Sequence, residues 1–304
     1  MSRSYTVYQI NSFTTKKFTG NPAGVVVNAE GLSDPEMLLI ARELKNSETA
    51  FIFSPGEKHS GYDVEVRFFT PTTEVPICGH ATIAAHFVRA LERQAHPGQT
   101  VLQKTKAGIL PIEILDSDGN LKIKMTQGNI AFEPVSELNK SNLLKALGID
   151  ESELSKDCPI EIASTGHSKV MIGINSREKL NRLSPDLGEL KKISAAIRCN
   201  GYFVFTFDSD SPEILTHGRM FAPAIGIDED PVTGNANGPL GAYIVKNRLT
   251  NFDGDRFSFV AKQGEAMGRP GTMEVFVDVQ NRLPLKVEIL GEAVPVFKTI
   301  IELA

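Results

Sequence analysis

Apolar and polar residues alternate from Tyr5 to Phe13, which predicts a strand, and GNPAG at Gly20 to Gly24 supplies turn chemistry before an all-apolar strand at Val25 to Val27. Asp34 as N-cap and Pro35 at the first helical position predict an amphipathic helix running through Leu44. Asn46 and Ser47 end it. Thr49 to Phe53 then reads as a short core strand whose opening residue is Glu48. Clean alternation returns at Tyr62 to Phe69, and Thr70 to Cys78 is a loop holding Glu74. Further strands are predicted at Thr100 to Lys106, Leu110 to Leu115 and Leu121 to Met125. Periodicity lapses near Gln127 to Pro134, which places a domain boundary there. Beyond it the pattern predicts helices at Ser141 to Leu147 and Leu187 to Arg198, and a strand pair around STGHS within Ile160 to Ile174. An apolar strand follows at Tyr202 to Phe207, and later strands near Arg256 to Ala261, Met273 to Val279, Leu285 to Leu290 and Val294 to Leu303.

Two stretches break the amphipathic pattern, and they resemble each other. From Ala236 to Val245 the chain is apolar on nearly every side and rich in small residues, the signature of a helix sheathed in protein. Thr233 or Asn235 can cap its first amides, and Gly234 lets a ligand approach the backbone. GHATIAAHFVRALERQ, starting at Gly79, has the same character. RFFTP at Arg67 to Pro71 matches RMFAP at Arg219 to Pro223, and GHA at Gly79 to Ala81 matches GNA at Gly234 to Ala236. This echo predicts an internal duplication: two similar halves, each with a glycine-led helix start whose free amides and macrodipole suit an anion.

At 304 residues and 33.2 kDa the chain suffices for two domains, each with its own core. Its net charge of −5 and the lack of a basic cluster exclude nucleic acid or an anionic membrane as the expected partner. No apolar run reaches transmembrane length and no signal-peptide core opens the chain. The 3 cysteines, Cys78, Cys158 and Cys199, share no motif spacing, so a disulfide framework is not expected and a reducing cytoplasm fits. No GxxxxGK, strand-linked GxGxxG or GxSxG is present, leaving a nucleotide cofactor or a serine hydrolase without support.

Candidate chemistry centres on Glu48, a carboxylate beside Ala50, Phe51 and Ile52 that is costly to desolvate and whose pKa burial would raise into the range proton transfer needs. An ion-paired, structural glutamate is the alternative. His80 at a helix start suits a substrate carboxylate, or else is a satisfied core histidine. Cys78 before Gly79 suits a thiolate at a helix N-terminus, but its counterpart falls at Pro231, Val232 or Thr233, which disfavours a cysteine-pair racemase. A metal site of Cys78, His80 and His86 is not expected, since two histidines six apart lie on nearly opposite helix faces. Asp230 can bind an amino group or relay a proton, although Asp before Pro is also turn chemistry. His167 and Asn21 read mainly as turn residues.

Taken together, GNPAGVV, NSETAFI, the RFFTP…CGHATIAAH block and GRMFAPAIGIDEDPVTGNANGPLGAYIV resemble the PhzF family of phenazine-biosynthesis-like isomerases, and in pattern its bacterial YddE-type members. The resemblance implies the diaminopimelate-epimerase-like α/β (α+β) fold: two pseudo-symmetric domains, 1–127 and 128–291, each a curled mixed sheet around a central helix, with the active site in a cleft between them. It also implies that a final strand, 292–304, can return to the first domain. By the same resemblance Glu48 is the acid/base. Cys78, Gly79 and His80, with Asp230, Thr233, Gly234 and Asn235, bind a small carboxylic acid, and no metal or cofactor takes part. Asn235 stands where the phenazine enzyme has serine, and Cys78 where it has a small apolar residue, which weighs against the phenazine precursor as substrate. The implied activity is an isomerase of the racemase and epimerase type, with epimerisation by Glu48 and Cys78, or acid binding without turnover, as alternatives. A homodimer stays open.

Overall fold

The structure is a computed structural model that describes residues 2–56, 61–117 and 119–303. Strands and two apolar helices sort into two units: residues 1–126 with 290–304, and residues 127–289.

The first unit holds β1 (Arg3–Ser12), β2 (Asn21–Val27), α1 (Asp34–Leu44), β3 (Thr49–Phe53), β4 (Val64–Phe69), β5 (Glu74–Val75), α2 (Gly79–Leu91), β6 (Thr100–Thr105), β7 (Gly108–Ser117) and β8 (Asn120–Thr126). Its sheet is mixed. β1 and β2 are antiparallel, β2 and β3 parallel, β3 and β4 antiparallel, β4 and β6 parallel, and β6, β7 and β8 form an antiparallel meander. The last strand, β17 (Leu283–Leu303), pairs with β1 from Arg3↔Leu303 to Ser12↔Ala293 and also with β8, which closes the circuit into a barrel. Every residue of α2 from Gly79 to Arg89 is buried against β1, β2, β3 and β8, because its small side chains let strands approach on all sides. Its interior polar groups are satisfied. His86 Nε2 lies 2.8 Å from Gln103 Oε1, and burial beside the Arg89 guanidinium lowers its pKa to about 3, so the imidazole is neutral.

α1 lies on the outside of the barrel, where Met37, Ile40 and Ala41 join Val7, Val26 and Phe51 in one cluster. Its cap is Ser33 rather than Asp34: Ser33 takes the extended conformation, and its N–H donates to Glu36 Oε2 at 2.8 Å. Asn21 opens β2 opposite Ser12 instead of sitting in a turn, because the bend falls earlier, at Gly20 (φ 64°).

The second unit holds β9 (Ile130–Pro134), α3 (Glu137–Leu147), β10 (Glu161–Thr165), β11 (Ser168–Gly173), α4 (Arg177–Arg182), α5 (Leu187–Ile197), β12 (Tyr202–Thr206), β13 (Thr216–Ala222), β14 (Ile227–Asp230), α6 (Gly234–Asn247), β15 (Arg256–Gln263) and β16 (Gly271–Gln280). The pairings repeat those of the first unit: β10 antiparallel to β11, β11 parallel to β12, β12 antiparallel to β13, β13 antiparallel to β14 and parallel to β15, and β15 antiparallel to β16. On one sheet face Val170, Ile172, Tyr202, Val204 and Phe221 pack with Leu143, Leu147, Leu190 and Ile193 of α3 and α5. The other face carries Phe205 against Tyr243 of α6, ring centroids 5.8 Å apart. α6 is kinked at Asn235 (φ −76°, ψ 15°), four residues before Pro239, which has no N–H to offer the Asn235 carbonyl.

The sequence echo becomes a shared device. Arg67 grips Glu74 through two hydrogen bonds of 2.8 and 2.7 Å and stacks on Phe69, and Arg219 grips Glu229 at 2.8 and 2.7 Å and stacks on Phe221. In each unit the planar guanidinium locks one strand to the short strand that leads into the apolar helix, β4 to β5 and β13 to β14.

Three outcomes differ from the pattern reading. The lapse in periodicity at Gln127 to Pro134 contains β9, an edge-type strand too exposed to alternate cleanly. The two strands expected after Leu285 are one 21-residue strand, since the Gly291 between them continues the ladder, packed against Phe13. α3 starts at Glu137, a turn before Ser141, because Ser136 caps it by accepting from Asn139 N–H.

Candidate active site

In the first unit the end of α1, the start of β3 and the start of α2 bring Glu48, Cys78 and His80 together. Cys78 is the N-cap of α2 in extended conformation and His80 lies one residue inside the helix, so both point out of its first turn. The His80 carbonyl accepts from Ser12 Oγ at 2.8 Å, fixing that turn to β1. Glu48 immediately precedes β3, and its Oε2 lies 3.5 Å from His80 Nε2. Ser47 Oγ is 3.3 Å from the same nitrogen, while Cys78 Sγ is 3.4 Å from Nδ1 on the other side of the ring. Cys78 and His80 are each 6% exposed, and the Glu48 side chain 14%, so the cluster is shielded yet open at the carboxylate.

Burial raises the Glu48 pKa above the ordinary carboxyl value, and hydrogen bonds from Ser47 and Cys78 oppose the rise. A carboxyl group so held can give up and regain a proton nearer to neutral pH than a solvated one. Glu48, Cys78 and His80 also offer carboxylate, thiol and imidazole atoms within 4.8 Å of one another, a donor set of the type that could hold a metal ion. Sequence spacing did not signal that set, because Glu48 reaches it from a different element.

In the second unit Asp230, Thr233, Gly234 and Asn235 converge at the start of α6. Asp230 ends β14 and is 6% exposed. Thr233 is the N-cap by position, yet its hydroxyl donates to the Asp230 carboxylate instead of capping the helix amides, and Asn235 sits inside the first turn. The expected side-chain cap is therefore absent, and side-chain amides from elsewhere in the unit brace this turn instead. Buried Gln263 accepts from the Thr233 N–H at 3.1 Å and from Asn237 Nδ2 at 2.9 Å, and donates to the Asp230 carbonyl at 2.7 Å. Gln127 donates to the Gly234 carbonyl at 2.9 Å while accepting from Thr165 Oγ1 at 2.6 Å. Gly264 allows this closeness: a Cβ there would stand 2.7 Å from the Pro231 carbonyl.

Gln127 and Gln263 escaped the sequence reading, the first in the aperiodic stretch and the second at a strand end. His167 lies exposed in the bend between β10 and β11, in keeping with a turn residue. His86 belongs to neither cluster.

A sequence profile described as phenazine biosynthesis-like protein matches residues 10–299. An uncharacterized isomerase of Clostridium acetobutylicum is 58% identical over 300 residues, covering 98% of each chain. A trans-2,3-dihydro-3-hydroxyanthranilate isomerase of Pseudomonas fluorescens is 30% identical over 287 residues, covering 94% of this chain and 95% of the relative. The crystal structure of a PhzF-family phenazine biosynthesis protein of Bacillus anthracis superposes with a TM-score of 0.89 at 29% identity, covering 98% of this chain and 99% of that one.

Proposed function

Because this chain belongs to the phenazine biosynthesis-like (PhzF) family, we propose that it is an isomerase in which Glu48 carries a proton from one carbon to another of a small carboxylic acid. The observation that carries the reading is the shielded Glu48 carboxyl, its pKa raised by burial, 3.5 Å from His80 Nε2. In the step, the Glu48 carboxylate takes a proton from a carbon made acidic by a neighbouring carboxylate or conjugated system. The electron pair left behind spreads into that system, and the protonated Glu48 returns the proton at its far end, shifting a double bond with no net redox change. His80 holds the Glu48 carboxylate in place, and the amides in the first turn of α2 face the developing charge. The relative from Pseudomonas fluorescens bears the name of a reaction of this kind, which supports the class of chemistry.

Incubation in deuterated water with a panel of small unsaturated and amino acids tests the reading. Deuterium on carbon together with a moved double bond is the expected result, and no incorporation into any compound would overturn it.

A second reading rests on Cys78, whose sulfur lies 3.4 Å from His80 Nδ1 in the same cluster as Glu48. With a thiol and a carboxyl group available, the same proton abstraction could end in inversion at one carbon. Label accompanied by inverted chirality, with the double bond unmoved, would favour this epimerase over the isomerase.

A further inference from the structure

Ser209, His217 and Glu265 meet within the second unit, and the chemistry of Glu48 uses none of them. His217 lies in β13, paired with Thr206 of β12 on one side and with Lys262 of β15 on the other. Ser209 sits in the connection from β12 to β13 and is partly exposed. Glu265 follows β15, just past Gly264, which turns the chain in the left-handed conformation (φ 87°). The three side chains form a line: Ser209 Oγ is 3.1 Å from His217 Nε2, and His217 Nδ1 is 2.7 Å from Glu265 Oε2. His217 is 1% exposed, so a buried ring connects the carboxylate to a hydroxyl nearer the surface.

Glu265 is firmly placed. Arg177 donates to its Oε2 from Nε at 3.2 Å and to its Oε1 from Nη2 at 2.7 Å, and Lys262 Nζ stands 2.9 Å from Oε1. Burial raises the Glu265 pKa, but hydrogen bonds from His217, Arg177 and Lys262 outweigh it and hold it far below the ordinary carboxyl value. An ionised Glu265 only accepts, so the His217 ring carries a proton at Nδ1 and, in its neutral form, turns Nε2 as an acceptor toward the serine. The Ser209 side chain is held in that position, because its Oγ donates to the Ser211 carbonyl at 3.1 Å and accepts from the Ser211 N–H at 3.3 Å. Rotation about its C–O bond moves the hydroxyl proton from that carbonyl to Nε2. Nucleophile, base within hydrogen-bond reach and acid orienting the base is the order that activates a serine. The GxSxG motif reports one fold's way of presenting such a serine, whereas the constellation itself is recognised by geometry and roles.

We propose that Ser209, His217 and Glu265 form a second reactive site, in which Ser209 is a nucleophile toward small uncharged esters. Ser209 Oγ bonds to the acyl carbon as its proton passes to His217 Nε2. The ester C–O bond then breaks, and the leaving alkoxide takes that proton from Nε2, leaving an acyl-serine. Water repeats the two steps and releases the acid, so ester and water give acid and alcohol with no redox change. Glu265 acts through His217 as a positioning residue. Exposed Asp208 and Asp210 flank the serine, Asp208 Oδ2 accepting from the Arg177 backbone N–H at 2.9 Å and Asp210 Oδ1 from Arg177 Nη1 at 2.6 Å. Carboxylates on both sides repel an anionic acyl group, which is why the class is uncharged esters.

The test uses the full chain and two probes, a fluorophosphonate and p-nitrophenyl acetate. The fluorophosphonate loses fluoride to the attacking Oγ, and mass spectrometry of the digest finds the modified residue. Ser209 is expected to be labelled at least tenfold faster than any other serine, and p-nitrophenolate release to exceed the spontaneous rate at least tenfold. Ser209→Ala should abolish both, whereas Ser211→Ala, which keeps the backbone contacts to Oγ, should retain both. His217→Gln and Glu265→Gln should each slow labelling at least tenfold. Glu265→Asp, which returns a carboxylate to the ring, should recover at least threefold over Glu265→Gln. Urea denaturation separates lost reactivity from lost folding in the buried variants, and Ser209→Ala, at a partly exposed position, decides the matter without them. No label on Ser209, labelling of Ser209 no faster than of other serines, or ester cleavage by Ser209→Ala within twofold of wild type would each overturn the proposal.

Discussion

Glu48→Gln removes the proton acceptor while changing the side chain by one atom, and its consequences divide cleanly between activity and stability. The carboxylate faces His80 Nε2 at 3.5 Å and accepts from Ser47 and Cys78, and an amide oxygen can keep acceptor contacts of this kind. Its raised pKa means that the folded state binds the proton more tightly than the unfolded chain does. The sign follows: its contribution to stability is complete below the unfolded carboxyl value and is lost as pH rises through the raised folded value. As pH rises through that raised value the native protein takes on the cost of an ionised, shielded carboxylate, which glutamine does not. Glu48→Gln should gain on wild type in urea stability as pH rises above the ordinary carboxyl range, and the gain should vanish at pH 4.

Activity should move the other way. A positioned general acid or base is worth roughly 10²- to 10⁴-fold, so deuterium incorporation into carbon should fall by at least about a hundredfold, with ligand affinity little changed. The wild-type rate should rise with pH through a value above the ordinary carboxyl range, since the deprotonated form starts the reaction. Mass spectrometry of the recovered acid, with chiral chromatography, reads the outcome. Exchange by Glu48→Gln within tenfold of wild type would remove Glu48 from the chemistry, and a variant markedly less stable at pH 7 would refute the account of its burial.

Cys78→Ala should reduce exchange only modestly if the reaction is a double-bond shift, and should abolish inversion if it is an epimerisation; chiral analysis of the labelled product decides. Glu229→Gln leaves the Arg219 guanidinium, 8% exposed in its side chain, without its bidentate partner, and should cost about 3 kcal/mol in urea denaturation. Gln263→Leu strips the Thr233 amide and the Asp230 carbonyl of a buried partner and should cost about 2 to 4 kcal/mol by the same assay. His86, lowered to about 3 from 6.5 by burial, contributes stability that is present above 6.5 and lost as pH falls toward 3. His86→Gln should accordingly flatten acid destabilisation across that window, by up to about 5 kcal/mol as followed by circular dichroism.

Legibility in the sequence tracked how local the controlling physics is. α2 and α6 could be read because a helix with no polar face has one stable environment, and both are buried almost throughout. The mixed α/β architecture and the family followed from ordered motifs spread along the chain. Glu48 stood out because a carboxylate opening an apolar strand needs a reason. Contacts fixed by distant partners stayed hidden. Nothing near Gln263 or Gln127 says that their amides will organise the start of α6, and the cap there was misread because Thr233 prefers the Asp230 carboxylate to its own helix.

The repeated halves show which parts of such a scaffold are free to change. Arg67 with Glu74 and Arg219 with Glu229 keep the same two-point grip and the same ring beneath the guanidinium, and the surrounding strand pairings agree parallel for parallel. A duplication retains what every copy needs in order to fold, and the guanidinium lock qualifies because either partner alone would be a costly half-buried charge. The helix starts carry no such constraint. One became Cys78, Gly79 and His80 beside a carboxyl group whose pKa is raised; the other became Thr233, Gly234 and Asn235 beside Asp230. Exchanging the two tripeptides should leave urea stability within about 2 kcal/mol, because the lock is untouched, while deuterium exchange should be lost. Survival of deuterium exchange in the exchanged protein would mean that proton transfer does not depend on the helix starts.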